Sequence, residues 1–133
     1  MNTIPQLTNI LYVEDEIDIQ TIVQLALENI GGYNLTVCSS GEEALAVAST
    51  WVPDLMLLDV MMPKMDGPTT LNQLRTRYPQ FATLPVIFMT AKVQPQEILE
   101  YKRLGAIEVI TKPFDPMLLA QTIKTIWEHY HDR

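Results

Sequence analysis

The chain has 133 residues, 47% hydrophobic and 19% charged, which bounds it to one globular domain and excludes a disordered chain. Its net charge of −7 argues against non-specific nucleic-acid binding, which needs a surface rich in lysine and arginine. No apolar run approaches the length of a membrane span, and the start MNTIPQLTN shows neither the basic nor the apolar region of a signal peptide; a cytoplasmic protein is expected.

Apolar strand-like runs alternate with helical patterns along the whole chain. Asn9–Val13 reads as a first strand. Ile19, Ile22, Val23, Ala26 and Ile30 recur at helical spacing, and Gly31-Gly32 closes that helix. Asn34–Cys38 reads as a second strand. It holds the only cysteine, Cys38, which reads as a small buried hydrophobe. A second helix is predicted over Glu42–Thr50, with Ser40 or Gly41 near its N-cap. The third strand, Asp54–Leu58, is apolar on both faces, as in a parallel sheet covered on both sides. Pro68 suits the first turn of a third helix that runs to about Tyr78 and stops at Pro79. Leu84–Met89 is a fourth strand with Pro85 at its start, where a missing N–H is tolerated. Pro95–Leu104 is a fourth helix closed by Gly105, Ile107–Ile110 a fifth strand, and Pro116–Tyr130 a last helix capped by Asp115.

Five βα units in succession imply an α/β fold: a doubly wound, five-stranded parallel sheet with right-handed crossovers and helices on both faces. In the order 2-1-3-4-5 the connection reverses between strands 1 and 3, and ligands bind at the carboxyl ends of those strands. Glu14, Asp15 and Glu16 stand past strand 1, Asp59 past strand 3, Thr90 past strand 4, and Lys112-Pro113 at the end of strand 5. One such residue alone reads as a helix cap, a turn residue or a solvated charge. Together they bring carboxylates, a hydroxyl and an ammonium to one edge of the sheet. Close like charges are destabilising unless a cation or a proton stands between them. Hard oxygen ligands at this density suit Mg²⁺. A carboxylate between a divalent cation and a lysine is placed to attack phosphorus, both cations stabilising the transferred charge. No GxxxxGK motif and no glycine fingerprint after strand 1 are present. The two histidines, His129 and His131, lie at the C-terminus, where they are poor catalysts or metal ligands.

The segments ILYVEDE (10–16), PDLMLLDVMMPKMDG (53–67), LPVIFMTA (84–91) and GAIEVITKPFDP (105–116) resemble response-regulator receiver domains, and the resemblance runs from about Asn9 to Tyr130. It implies a flavodoxin-like fold and a single receiver domain over 1–133, with a core of about 9–130. It implies that Asp59 accepts a phosphoryl group from a histidine kinase or a phosphotransfer protein. Asp15 and Asp59 would ligate Mg²⁺ directly, Glu14 through a water, and Met61 through its backbone carbonyl. Thr90 would be the switch hydroxyl, and Lys112 would contact the phosphoryl group, with Pro113 following in a cis bond. Met61 and Lys92 hold positions that modulate hydrolysis of the phosphoryl group in the family, and Met61 is expected to shield the in-line water path.

One departure stands out: Val109 occupies a position where the family usually carries an aromatic ring. Tyr101 reads as an exposed tyrosine, with a substitute for that ring as the alternative. The output surface would be helix 4, strand 5 and helix 5, meeting an unknown downstream protein. Monomer or phosphorylation-linked dimer are the expected states, with Trp127 and Tyr130 as residues to look for on that face. The start at Met1 and the charged ending EHYHDR favour a stand-alone regulator over an excised receiver. The chain is expected not to be an enzyme in its own right: a Mg²⁺-dependent phosphatase would need longer loops to build a substrate pocket. The remaining alternative is a phosphorylation-independent interaction module on the same fold.

Overall fold

The computed structural model describes residues 3–132; Met1 and Arg133, on which part of the stand-alone expectation rests, lie outside the described residues. Five strands, β1 (Asn9–Val13), β2 (Asn34–Cys38), β3 (Leu55–Asp59), β4 (Val86–Thr90) and β5 (Ala106–Thr111), form one parallel sheet in the order β2-β1-β3-β4-β5. They alternate with α1 (Ile17–Gln24), α2 (Gly41–Ala48), α3 (Gly67–Arg77), α4 (Pro95–Arg103) and α5 (Pro116–His131).

Alternation along the strands divides the apolar interior into two halves. Leu11, Val13, Met56, Leu58, Val86 and Phe88 pack with Ala44 and Leu45 of α2 and Leu71 and Leu74 of α3. Ile10, Tyr12, Leu55, Leu57, Ile87 and Met89 pack with Val23 of α1 and Leu119, Ile123 and Trp127 of α5. Every residue of β3 and β4 is buried, so the central strands are covered on both faces.

Local chemistry sets the helix boundaries. Ser40 accepts from the Glu43 amide at 3.1 Å, Asp66 from Thr69 at 2.8 Å and Asp115 from Met117 at 2.9 Å. Each cap satisfies an orphan donor and is worth about 1 kcal/mol. The first helix closes at Gly31, as the glycine pair predicts, but not as a regular α-helix. It widens into a π-helical stretch, Leu25–Ile30, in which the Gly31 amide donates to Ala26 five residues back at 3.1 Å. Gly32, at φ +75°, then turns the chain into β2 in a conformation that L side chains rarely adopt.

Two strands sit later than predicted. Asp54 precedes β3, and its carboxylate accepts from the amides of Thr8 and Asn9 at 3.0 and 2.8 Å. Asp59 is thereby the last residue of β3, and Thr90 the last of β4. A register shift between Val86 and Ile87 leaves Ile107 unpaired, so Val109 stands opposite Phe88 and Thr111 opposite Thr90. Lys112 follows directly, its amide donating to the Thr90 carbonyl at 2.9 Å.

No described residue of α4 is buried, whereas α5 buries three. The α4 helix touches the sheet through Tyr101, which is half-buried with its ring edge-on to Phe88 at 5.7 Å, not exposed as its sequence context suggests. Trp127 is buried and donates to the Pro5 carbonyl at 2.6 Å; it is therefore no part of an exposed α4–β5–α5 face. Tyr130 is half-buried. No described helix is long and apolar enough to cross a membrane.

Candidate functional site

The reversal of strand order falls between β1 and β3, and the charged groups gather at the carboxyl ends of those strands. Asp59 is 3% exposed and Glu14 fully buried. One carboxylate oxygen from each of Glu14, Asp15 and Asp59 lies within 4.8 Å of the others. Lys112 reaches between them, donating from Nζ to Asp59 Oδ1 at 2.7 Å and to Glu14 Oε1 at 2.8 Å.

The three carboxylates are not equivalent. Glu14 is fully engaged: Oε1 takes Lys112 and the Tyr12 hydroxyl at 3.5 Å, Oε2 takes the Glu16 amide at 3.2 Å, and its own amide donates to the Cys38 carbonyl at 3.0 Å. Asp15 Oδ1 is buried with no hydrogen-bond partner. An unpaired buried carboxylate oxygen beside two other carboxylates, with one lysine among them, is a site short of positive charge. All the donors are hard oxygens, which fits Mg²⁺ held by Asp15 and Asp59, with Glu14 too committed to protein donors for more than an indirect contact.

Electrostatics follow from burial. Desolvation pushes the Asp59 carboxyl above its ordinary value; Lys112 opposes that shift and the charge of Asp15 adds to it. Desolvation likewise raises Glu14, against Lys112 and with Asp59. Burial alone would lower Lys112, but its bonds to Asp59 and Glu14 outweigh it and the ammonium is held above its usual value. Burial and the neighbouring Glu14 charge raise the Tyr12 phenol, which stays a donor. Cys38 is free and buried, its thiol pushed up to about 12 by burial first, as expected for an inert side chain.

Thr90 is 2% exposed, and its Oγ1 accepts from the Lys92 amide at 3.1 Å, which leaves the hydroxyl proton free to donate. Met61, two residues past Asp59, has a 60% exposed side chain. The Lys112–Pro113 bond is cis. Gly67 opens α3 where a Cβ would stand 2.4 Å from the Asp59 carbonyl oxygen, so only glycine lets α3 start so close to the end of β3.

Two residues at the site carry no signal that single-sequence motifs reveal. Tyr12 lies in an apolar strand two residues before Glu14, so its hydroxyl shares the side of the strand on which the Glu14 carboxylate projects. Gln20 donates from its side-chain nitrogen to the Glu14 carbonyl and, at 3.1 Å, to Ser39 Oγ. A buried tyrosine needs a partner for its hydroxyl, and that need is the one clue to Tyr12 in the sequence.

The response regulator receiver domain family is matched over residues 10–124. The alkaline phosphatase synthesis transcriptional regulatory protein PhoP of Bacillus subtilis is 42% identical over 117 residues, covering 88% of this chain and 47% of that protein. Response regulator SaeR of Staphylococcus aureus is 34% identical over 128 residues, covering 94% and 54%. The chain thus spans about half the length of these curated relatives. Among solved structures, the chemotaxis response regulator CheY4 of Vibrio cholerae superposes with a TM-score of 0.82 at 30% identity, covering 91% of this chain and 99% of that one. The receiver domain of the Francisella response regulator 1452 gives 0.80 at 28%, covering 92% and 98%. With the parallel 2-1-3-4-5 sheet and the acidic cluster at its switch point, these matches make the chain a member of the response regulator receiver domain family of two-component systems.

Proposed function

We propose that Asp59 accepts a phosphoryl group from the phosphohistidine of a histidine kinase or phosphotransfer protein, with Mg²⁺ held by Asp15, Asp59 and the Met61 backbone carbonyl, and Glu14 acting through a water. The observation that carries this reading is the Asp59 carboxylate, bonded to Lys112 at 2.7 Å and within 4.8 Å of two further carboxylates. Mg²⁺ would neutralise these carboxylates and the charge that develops on the transferred group. An Asp59 oxygen forms the bond to phosphorus as the phosphorus–nitrogen bond of the donor breaks. Lys112 can exchange its bond to Asp59 for one to a phosphoryl oxygen. The Thr90 proton, unused in its bond with Lys92, can be given to another.

Phosphorylation adds roughly two negative charges and strong acceptor oxygens. Thr90 leads through Lys92 to α4, the helix with no buried residue, so a change at Thr90 acts on the least anchored helix of the sheet. This favours an α4–β5–α5 output surface for a downstream protein. Val109 faces Phe88 there, and the Tyr101 ring on Phe88 is the aromatic contact of that region. The net charge of −7 argues against non-specific nucleic-acid binding by this chain.

The test is intact mass after incubation with acetyl phosphate and Mg²⁺. Gain of one phosphoryl group, lost in Asp59→Asn and in EDTA, is expected. No gain in folded, Mg²⁺-binding protein would count against small-molecule phosphorylation and move weight to a kinase-dependent receiver or a phosphorylation-independent interaction module. Met61→Asn should shorten the phosphorylated lifetime by exposing the water path, and equal dephosphorylation rates would remove Met61 from that role.

A further inference from the structure

Gln20 lies on the first helix, six residues past Glu14, and is half-buried. Its side-chain nitrogen has two hydrogens and two acceptors: the Glu14 carbonyl and the Ser39 hydroxyl. A carbonyl can only accept, so the orientation of the amide is fixed chemically. Ser39 is itself held, its amide donating to Glu43 Oε2 at 3.2 Å. Gln20 therefore ties the loop after β1 to the loop after β2.

The peptide it holds joins two residues of opposite status. Glu14 has partners at its amide, its carbonyl and both carboxylate oxygens. Asp15, one bond on, has a buried oxygen with none. The peptide plane is rigid, so fixing the Glu14 carbonyl fixes the direction in which Asp15 leaves the strand. Losing a partner that orients a metal ligand typically costs about 10–100-fold in metal affinity or activity.

From this geometry we infer that Gln20 is a positioning residue for Asp15, setting the site's affinity for Mg²⁺ through the Glu14–Asp15 peptide, with Ser39 as its anchor. The inference rests on the Mg²⁺ reading of the cluster and names a determinant of it that lies outside the carboxylates. It acts on affinity and not on the chemical step, because Gln20 touches neither Asp59 nor Lys112.

The experiment is calorimetric titration of the full chain with Mg²⁺, for wild type, Asp15→Asn, Gln20→Leu, Ser39→Ala and the Gln20→Leu/Ser39→Ala double variant. Unfolding midpoints in EDTA and phosphorylation rates with acetyl phosphate at saturating Mg²⁺ accompany it. Gln20→Leu should weaken Mg²⁺ about tenfold and recover the wild-type rate at saturating Mg²⁺, its midpoint in EDTA falling by no more than the loss of its two hydrogen bonds accounts for. Ser39→Ala, at an exposed hydroxyl, should show a smaller loss in the same direction even if Gln20→Leu folds poorly. The double variant should be no weaker than Gln20→Leu, since Ser39 acts only through the amide. Wild-type affinity in both single variants overturns the inference while the Mg²⁺ reading stands. So does a fall in midpoint and saturated rate together, which marks a merely structural role. Failure of wild type to bind Mg²⁺, or binding undisturbed by Asp15→Asn, overturns the Mg²⁺ reading and the inference with it.

Discussion

Asp54 and Asp59 mark opposite ends of one strand and have opposite surroundings. At the amino edge of the sheet, Asp54 accepts two backbone amides, from Thr8 and Asn9, and so fastens the start of β1 to β3. At the carboxyl edge, Asp59 lies 3% exposed among other carboxylates, with Lys112 as its hydrogen-bond donor. The first carboxylate lowers the energy of the fold. The second raises it, because burial and the charge of Asp15 disfavour its ionised form and Lys112 only partly compensates. A stable fold has little reason to gather charge in this way, which supports the phosphoacceptor reading proposed for the carboxyl edge, while the amino edge serves cohesion.

Removing the lysine that bridges Glu14 and Asp59 should have the largest effect. Lys112→Met leaves Glu14 and Asp59 buried and uncompensated, and breaking a buried ion pair by deleting one partner costs about 3–5 kcal/mol. Urea unfolding in EDTA should show that loss, with part of it recovered in Lys112→Met/Asp59→Asn. A loss confined to the single variant would confirm that the cost is electrostatic. Equal losses in both would mean that the lysine stem, not its charge, holds the edge together.

At the other edge the effect should be smaller and separable from function. Asp54→Ala leaves two backbone donors without their acceptor and should cost about 1–2 kcal/mol. The rate of phosphorylation by acetyl phosphate should stay within about twofold, as the two edges share no partners. A large fall in that rate would erase the distinction between the edges.

The positions of the groups gathered at the carboxyl edge were legible because strand ends are legible. Glu14, Asp15, Asp59, Thr90 and Lys112 each follow or close an apolar run, and parallel topology collects such residues at one edge. Caps were legible for the same local reason: Ser40 and Asp115 sit where an orphan amide needs an acceptor. The strand bounds at β3 and β4 slipped because Asp54 and Pro85 flank runs whose pairing starts one or two residues later. What stayed hidden depends on distant partners. Trp127 bonds to Pro5, 122 residues away. The π-helical turn depends on a five-residue hydrogen bond that apolar spacing does not encode. Tyr101 is drawn inward by Phe88, and Gln20 meets Ser39 only once β1 and β2 are paired.

The pH dependence of stability gives the finest comparison. Asp59 and Glu14 have folded values above their unfolded ones, chiefly through burial. The folded state therefore binds protons at a pH where the unfolded state has released them. Stability falls with rising pH wherever the native state holds more protons. In EDTA the unfolding midpoint should therefore rise as pH drops through the raised values toward the ordinary carboxylate range. Lys112 acts in a separate window: its stabilisation is present below its raised value and is lost as pH climbs through it, well into the alkaline range. Asp59→Asn removes one of the two titrating carboxyls and one source of the repulsion, so its midpoint should be higher at neutral pH and its acid-side slope shallower. Saturating Mg²⁺ should flatten the wild-type slope in the same way, because a cation held by the ionised carboxylates favours their charged form. A wild-type slope that neither Asp59→Asn nor Mg²⁺ alters would place the titration elsewhere in the molecule and leave the carboxyl edge no more strained than the amino edge.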